Sequence, residues 1–94
     1  MHTHHSVLDT LKQRHNLTSD EVAVILAIRA RDRADSRKPT AHGHRIGKGE
    51  FDLGLLQSMH QRGLVVLVCG GVRRRPKWVR LTWHIWRPLH EAGL

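Results

Sequence analysis

The sequence PTAHGHRIGKGEFDLGLLQS, residues 39–58, decides the predicted fold. Thr40 can cap a short helix over 41–46, and the GKG run at 47–49 that follows is typical of a turn. A second helix is expected from Glu50 onward. Two helices that cross steeply through so short a turn need a glycine where the chain takes a positive φ angle, and this stretch supplies several. The spacing therefore predicts a helix-turn-helix.

The second of these helices is expected to bury one face and to end at a glycine. It runs in this prediction to about Arg62, where Gly63 can close it in a left-handed cap. The whole motif then occupies residues 39–62. Its apolar residues recur at helical spacing, so that one side can pack inward. These inward-facing residues are Phe51, Leu55, Leu56 and Met59.

Two helices are predicted before this motif. Residues 1–5 form a histidine-rich tail that we expect to be flexible, and a short helix follows over 6–16. Thr18 and Glu21 then make a capping box ahead of VAVILAIRA, residues 22–30. Apolar residues cover most of the circumference of this second helix, so we expect it to be nearly surrounded by the core.

A β-hairpin with a basic tip is predicted after the motif, over residues 64–82. Residues 64–69, LVVLVC, are β-branched and short, as in a buried strand. Residues 78–82, WVRLT, alternate as in a strand with one exposed face. A closing helical segment follows over 83–94, and we expect it to break at Pro88 because proline lacks the backbone N–H.

Composition points to one basic domain. Residues 6–94 are enough for a single domain of α+β class, mainly helical. The 94-residue chain carries 16 Lys and Arg against 8 Asp and Glu, a formal charge of +8 with a pI near 11.3. Such a balance favours a polyanionic partner, with nucleic acid ahead of a membrane surface, although a charge excess that only aids solubility is the alternative.

No apolar run reaches the length of a signal peptide or of a membrane span. The single cysteine, Cys69, cannot form an internal disulfide, and its apolar neighbours suggest a buried, unreactive thiol. We therefore expect a cytoplasmic protein that does not bind membranes.

The order of the predicted elements resembles a winged helix-turn-helix. More narrowly, residues 55–94 look like the end of the recognition helix, the wing and the first C-terminal helix of MarR-type regulators. Residues 62–65, RGLV, match the family's junction between recognition helix and wing, and the arginines at 73–75 match its basic wing tip. Leu81 and Thr82 match the end of its second wing strand.

The resemblance implies a homodimer, built from terminal helices, that binds double-stranded DNA. The second helix of the motif would enter the major groove and the wing would lie along the backbone or the minor groove. Affinity is expected to come from basic side chains that meet phosphates and release counterions. The side chains predicted for this role are Arg45, Lys48, Arg73, Arg74, Arg75, Lys77 and Arg80.

The side chains expected to contact base edges are those of Gln57, Ser58 and Gln61 on the second helix. Glu50 and Asp52, at the start of the same helix, would place negative charge near phosphates. These two carboxylates motivate an alternative, a winged-helix protein-interaction module, either an accessory or an inhibitor protein, that does not read DNA. A non-specific architectural DNA binder is a third reading.

The histidines do not have the spacing of a structural zinc site, so no metal or other cofactor is expected. His42 and His44 are instead predicted to contact phosphates. The three tryptophans suit core packing or a subunit interface. Because the sequence carries no phosphate-cradling glycine loop, no HExxH and no nucleophile set beside a base, we expect no enzyme. The leading hypothesis is therefore a small transcriptional regulator that binds specific DNA sequences as a dimer.

Overall fold

The computed structural model describes residues 3–34, 43–72 and 74–94. Within these ranges the fold is mixed α+β and mainly helical, as predicted, with four helices and one three-stranded antiparallel sheet. In chain order the elements are α1 (Thr3–His15), α2 (Ser19–Ala34), β1 (His44–Arg45), α3 (Leu53–Gln61), β2 (Val65–Gly70), β3 (Arg75–Leu81) and α4 (Trp83–Glu91).

Helix α2 begins at the predicted capping box. The backbone N–H of Thr18 donates to Oε1 of Glu21 at 2.8 Å, and the N–H of Glu21 donates to Oγ1 of Thr18 at 3.2 Å. Val24, Ile25 and Ile28 on this helix are buried in the core. The expectation that α2 is nearly surrounded is wrong, because one side of the helix, including Ala23, Leu26 and Ala27, is exposed to solvent.

The predicted first helix of the helix-turn-helix does not form in its described part. His44 and Arg45 make strand β1, which pairs antiparallel with β3 so that His44 lies opposite Val79. Gly43 precedes the strand with a φ angle of +85°, and a Cβ atom there would lie 2.3 Å from the carbonyl oxygen of Val79. This glycine therefore permits a close approach of two strands rather than of two helices. The remainder of the predicted helix, residues 41–42, lies outside the described residues.

The sheet has the strand order β1-β3-β2, so the predicted two-stranded hairpin is extended by a third strand. The alternation predicted for β3 is correct: Val79 and Leu81 are buried, while Trp78 and Arg80 lie on the opposite face. A register irregularity separates Val68 from Cys69 in β2. Cys69 itself is exposed, so the expectation of a buried thiol is wrong.

Helix α3 begins three residues later than predicted, because Asp52 is its N-cap. One carboxylate oxygen of Asp52 accepts from the N–H groups of Gly54 and Leu55, at 2.9 and 3.3 Å. The predicted left-handed cap at the other end is confirmed. Gly63 has a φ angle of +76°, and its N–H donates to the carbonyl of His60 at 3.0 Å.

Helix α4 runs through Pro88, so the predicted break is wrong. A proline in a helix interior costs about 3 kcal/mol. Ile85 and Leu89, on either side of Pro88, are fully buried. Burying two such side chains contributes about 3–6 kcal/mol, which outweighs the cost of the proline.

Arg62 joins the first three helices immediately after α3. Its guanidinium donates to Oε2 of Glu21 through Nη1, and to the carbonyl oxygens of His15 and Asn16 through Nη2. Glu21 is only 3% exposed. Because a buried carboxylate is costly without a partner, Arg62 both neutralises Glu21 and caps the last carbonyls of α1.

Replacing Arg62 by alanine is expected to lower the free energy of unfolding by about 3 kcal/mol, because it leaves Glu21 buried without its partner. Denaturant unfolding followed by circular dichroism measures the loss. The matched control is Arg87→Ala, which breaks the exposed Arg87–Glu91 pair and should change stability by less than about 0.5 kcal/mol. Equal losses in the two variants would contradict the structural role of Arg62.

The pKa of His15 is lowered from its ordinary value, chiefly because burial disfavours the charged imidazolium. Nearby cationic groups act in the same direction, namely His84, whose ring centroid lies 5.6 Å from that of His15, then Arg14 and Arg62.

The unfolded chain therefore binds a proton at His15 at a higher pH than the folded chain does. The stability that neutral His15 contributes is present above the unfolded pKa of about 6.5 and is lost as the pH falls through the lower folded value. Denaturation midpoints measured from pH 8 to pH 5 should fall, and His15→Gln should flatten the decline. An unchanged decline in His15→Gln would exclude His15 as its cause.

Candidate nucleic-acid interface

Helix α3 presents one face to solvent. Leu56 and Met59 point into the core and are fully buried. Gln57, Ser58 and Gln61 are exposed, and together with Gly54 they follow the i, i+3, i+4, i+7 spacing of a single helix face. The three side chains predicted to read bases therefore share one accessible surface.

A cleft of about 590 Å³ opens beside the N-terminal end of α3. One wall is the β1–α3 connection, residues 45–51, and the other is the start of β3, residues 75–77. Arg31 reaches it from the C-terminal part of α2. Four of the predicted DNA-binding residues line this cleft, and we call them the cleft cations: Arg45, Lys48, Arg75 and Lys77.

The cleft cations have no acidic partners among the residues that the structure describes. Within the described part of the chain none of their side chains forms an ion pair, and the carboxylate that lines the cleft, that of Glu50, is bonded to Arg31 instead. The charges of neighbouring cations add, so together they raise the local positive potential. The cleft is therefore suited to bind a polyanion, and its open shape admits an extended one.

The other predicted phosphate contacts lie elsewhere. Arg74 is exposed in the turn of the β2–β3 hairpin with a φ angle of 52°. Arg80 is half-buried further along β3, opposite Val66. Arg73 lies outside the described residues. Only part of the predicted basic surface is thus gathered into one site.

His44, which was predicted to contact phosphates, is bonded to a carboxylate and is little exposed, which disfavours that role. Its Nε2 atom is hydrogen-bonded to Oδ1 of Asp32 on α2, and the two side chains are 12% and 7% exposed. The pairing of β1 with β3 puts His44 on the same sheet face as buried Val79, which turns it away from solvent. His42, predicted for the same role, lies outside the described residues.

Arg31 belongs to the site although it is not among the predicted DNA-binding residues. Its Nη1 atom donates to the carbonyl oxygen of Arg45 at 2.8 Å and to the two carboxylate oxygens of Glu50 at 3.1 and 3.2 Å. The arginine-rich end of α2 is the sequence signal that could have indicated a basic residue at this site. It did not identify the partner, because 19 residues separate Arg31 from Glu50.

A second candidate surface lies on α4. The rings of Trp83 and Trp86 stack with centroids 5.0 Å apart, and Trp86 stacks on His90 at 4.4 Å. The guanidinium of Arg29 lies 5.6 Å from the Trp86 ring centroid. Trp83 is 62% exposed, so the outer end of this aromatic stack faces solvent.

The described ranges hold neither a cluster of metal-binding side chains nor a helix that could span a membrane. In residues 3–34, 43–72 and 74–94, no three His, Cys, Asp or Glu side chains lie close enough together to hold a metal ion. None of the helices described is both long and apolar enough to cross a membrane. Comparisons of the chain with protein-family models, with curated proteins and with solved structures found no match in any of the three.

Proposed function

We propose that this chain binds double-stranded DNA as a small cytoplasmic transcriptional regulator of the winged-helix, MarR-like kind. The observation that carries the proposal is the cleft at the start of α3, in which the four cleft cations lie together and form no ion pair with any described residue. Each phosphate that a cation neutralises releases a condensed counterion, which is the main source of affinity for DNA.

The arrangement around the cleft supports the same proposal. Helix α3 passes through Gly63 directly into the β2–β3 hairpin, and Arg74 is exposed at the turn of that hairpin. In the proposed complex α3 lies in the major groove and the hairpin lies against the backbone. Gln57 and Gln61 then face base edges, and a glutamine amide can form two hydrogen bonds with adenine.

One part of the winged-helix pattern is replaced. The described residues hold β1 and a turn where the first helix of the motif was expected. The bonds that Arg31 makes to Arg45 and Glu50 tie this connection to α2. In the proposal, this connection rather than a preceding helix meets the DNA backbone beside α3.

The test is a fluorescence-anisotropy titration on random and genomic DNA fragments at several salt concentrations. Four phosphate contacts predict that log K falls against log salt with a slope of about −3 to −4. Lys48→Ala/Arg75→Ala should reduce the magnitude of this slope by about 2 and should weaken binding at all sequences. The matched control, Lys12→Ala/Arg14→Ala, removes the same charge from exposed positions of α1 and should leave the slope nearly unchanged.

The same titration separates the competing functions. Enrichment of one sequence, lost in Gln57→Ala/Gln61→Ala, supports the regulator. Salt-sensitive binding without enrichment would replace it by an architectural DNA binder. Absence of binding at low salt would contradict DNA binding altogether and leave the protein-interaction module.

We further propose that the regulator is a homodimer that pairs through the aromatic stack of α4. Trp83 exposes much of its indole, tryptophan is enriched at protein interfaces, and the MarR resemblance implies dimerisation through terminal helices. Sedimentation velocity across protein concentration should show a dimer that Trp83→Ala converts to a monomer. A wild-type monomer at tens of micromolar would refute the dimer.

A further inference from the structure

Glu50 holds together two parts of the cleft wall. Its Oε1 atom accepts a hydrogen bond from the backbone N–H of Gly47 at 2.8 Å and from Nη1 of Arg31 at 3.1 Å. Oε2 accepts from the same guanidinium nitrogen at 3.2 Å. One carboxylate thus bridges the turn before α3 and the C-terminal part of α2.

The two donors that Glu50 occupies are suited to a phosphate. A guanidinium and a backbone N–H directed at one point bind oxyanions in general, and phosphate oxygens accept from them as carboxylate oxygens do. Glu50 is the acidic residue among the described residues that line the cleft, and no described carboxylate pairs with the cleft cations around it. Its negative charge therefore sits where an extended polyanion would pass.

We propose that the Arg31 guanidinium and the Gly47 N–H form a binding site for one phosphate of the DNA backbone, which Glu50 fills in the free protein. The incoming phosphate displaces the carboxylate. Glu50 is thereby an internal competitor that lowers the affinity of the cleft for DNA. This inference rests on the proposed DNA binding and adds a site that the predicted basic residues do not include.

The contacts around Glu50 allow this exchange. The side chains of Arg31 and Glu50 are 36% and 34% exposed, and ion pairs so well solvated are weak. Arg31 also donates to the carbonyl oxygen of Arg45, which keeps its guanidinium at the cleft when Glu50 leaves. The turn itself is closed by a main-chain bond from the N–H of Glu50 to the carbonyl of Gly47 at 3.1 Å, which does not involve the side chain.

The first experiment compares DNA binding by wild type and by Glu50→Gln, which keeps the shape of the side chain and removes its charge. We expect binding about 3- to 5-fold tighter at low salt, because the phosphate no longer has to displace a charged carboxylate from Arg31. The control, Glu91→Gln, removes the same charge from an exposed pair on α4 that does not line the cleft. It should alter affinity by less than about 2-fold.

A double-mutant cycle separates displacement from simple repulsion of DNA by Glu50. If Glu50 acts by filling the Arg31 site, the gain from Glu50→Gln disappears in an Arg31→Ala background. A gain that persists without Arg31 would overturn the proposal, and so would a Glu50→Gln variant that binds DNA no better than wild type. Either result would leave the proposed DNA binding intact, because that is judged on the wild type.

A second probe tests the site without DNA. Inorganic pyrophosphate is titrated into wild type, Glu50→Gln and Glu50→Ala while the amide resonance of Gly47 is followed by NMR. If both variants show larger shifts than wild type at lower pyrophosphate concentration, the result supports the site. This holds even if the wild type binds no DNA, because only the identification of the ligand as DNA would then be wrong. Equal titrations in all three proteins would overturn the site itself.

Discussion

The contact between Arg62 and Glu21 is the interaction on which the rest of the structure depends. Glu21 is committed to the capping box with Thr18 and is buried, so its charge needs a partner inside the fold. Arg62 supplies that partner, and it also caps α1 by donating hydrogen bonds to the carbonyl oxygens of His15 and Asn16. Since Arg62 is the C-cap of α3, which leads into the hairpin, this one side chain orients both elements of the candidate interface relative to α1 and α2.

The parts of the fold that sequence reasoning predicted correctly carry local signals. A capping box needs only Thr18 and Glu21, three residues apart, and Gly63 ends α3 because its own backbone takes the left-handed conformation. The parts predicted wrongly are decided by distant neighbours. Gly43 serves a strand pairing with β3, more than thirty residues along the chain, and α4 passes through Pro88 because its buried neighbours outweigh the lost hydrogen bond.

The candidate site likewise has one part that local sequence predicts and one part that depends on tertiary contacts. The exposed face of α3 follows from helical periodicity once the helix is known, so Gln57, Ser58 and Gln61 needed no tertiary information. The cleft did need it, because it assembles the end of α2, the connection before α3 and the start of β3. Arg31 was missed and the carboxylate contact of His44 was not predicted for this reason. In both cases the hydrogen-bond partner lies on another element, 19 residues away for Arg31 and 12 for His44, so local spacing does not reveal it.

The two carboxylates at the start of α3 counted against DNA binding when only the sequence was considered. In the fold each accepts hydrogen bonds from backbone N–H groups: Asp52 from Gly54 and Leu55, and Glu50 from Gly47. Glu50 also accepts from the guanidinium of Arg31. A carboxylate that caps a helix interacts with the positive end of the helix dipole, so part of its field is offset locally. The four cleft cations form no ion pair within the described ranges, so their charge is not offset in this way. The electrostatic balance at α3 is therefore compatible with the proposed DNA binding, and in that proposal Glu50 sets its strength, because the carboxylate is held by donors that a phosphate can also use.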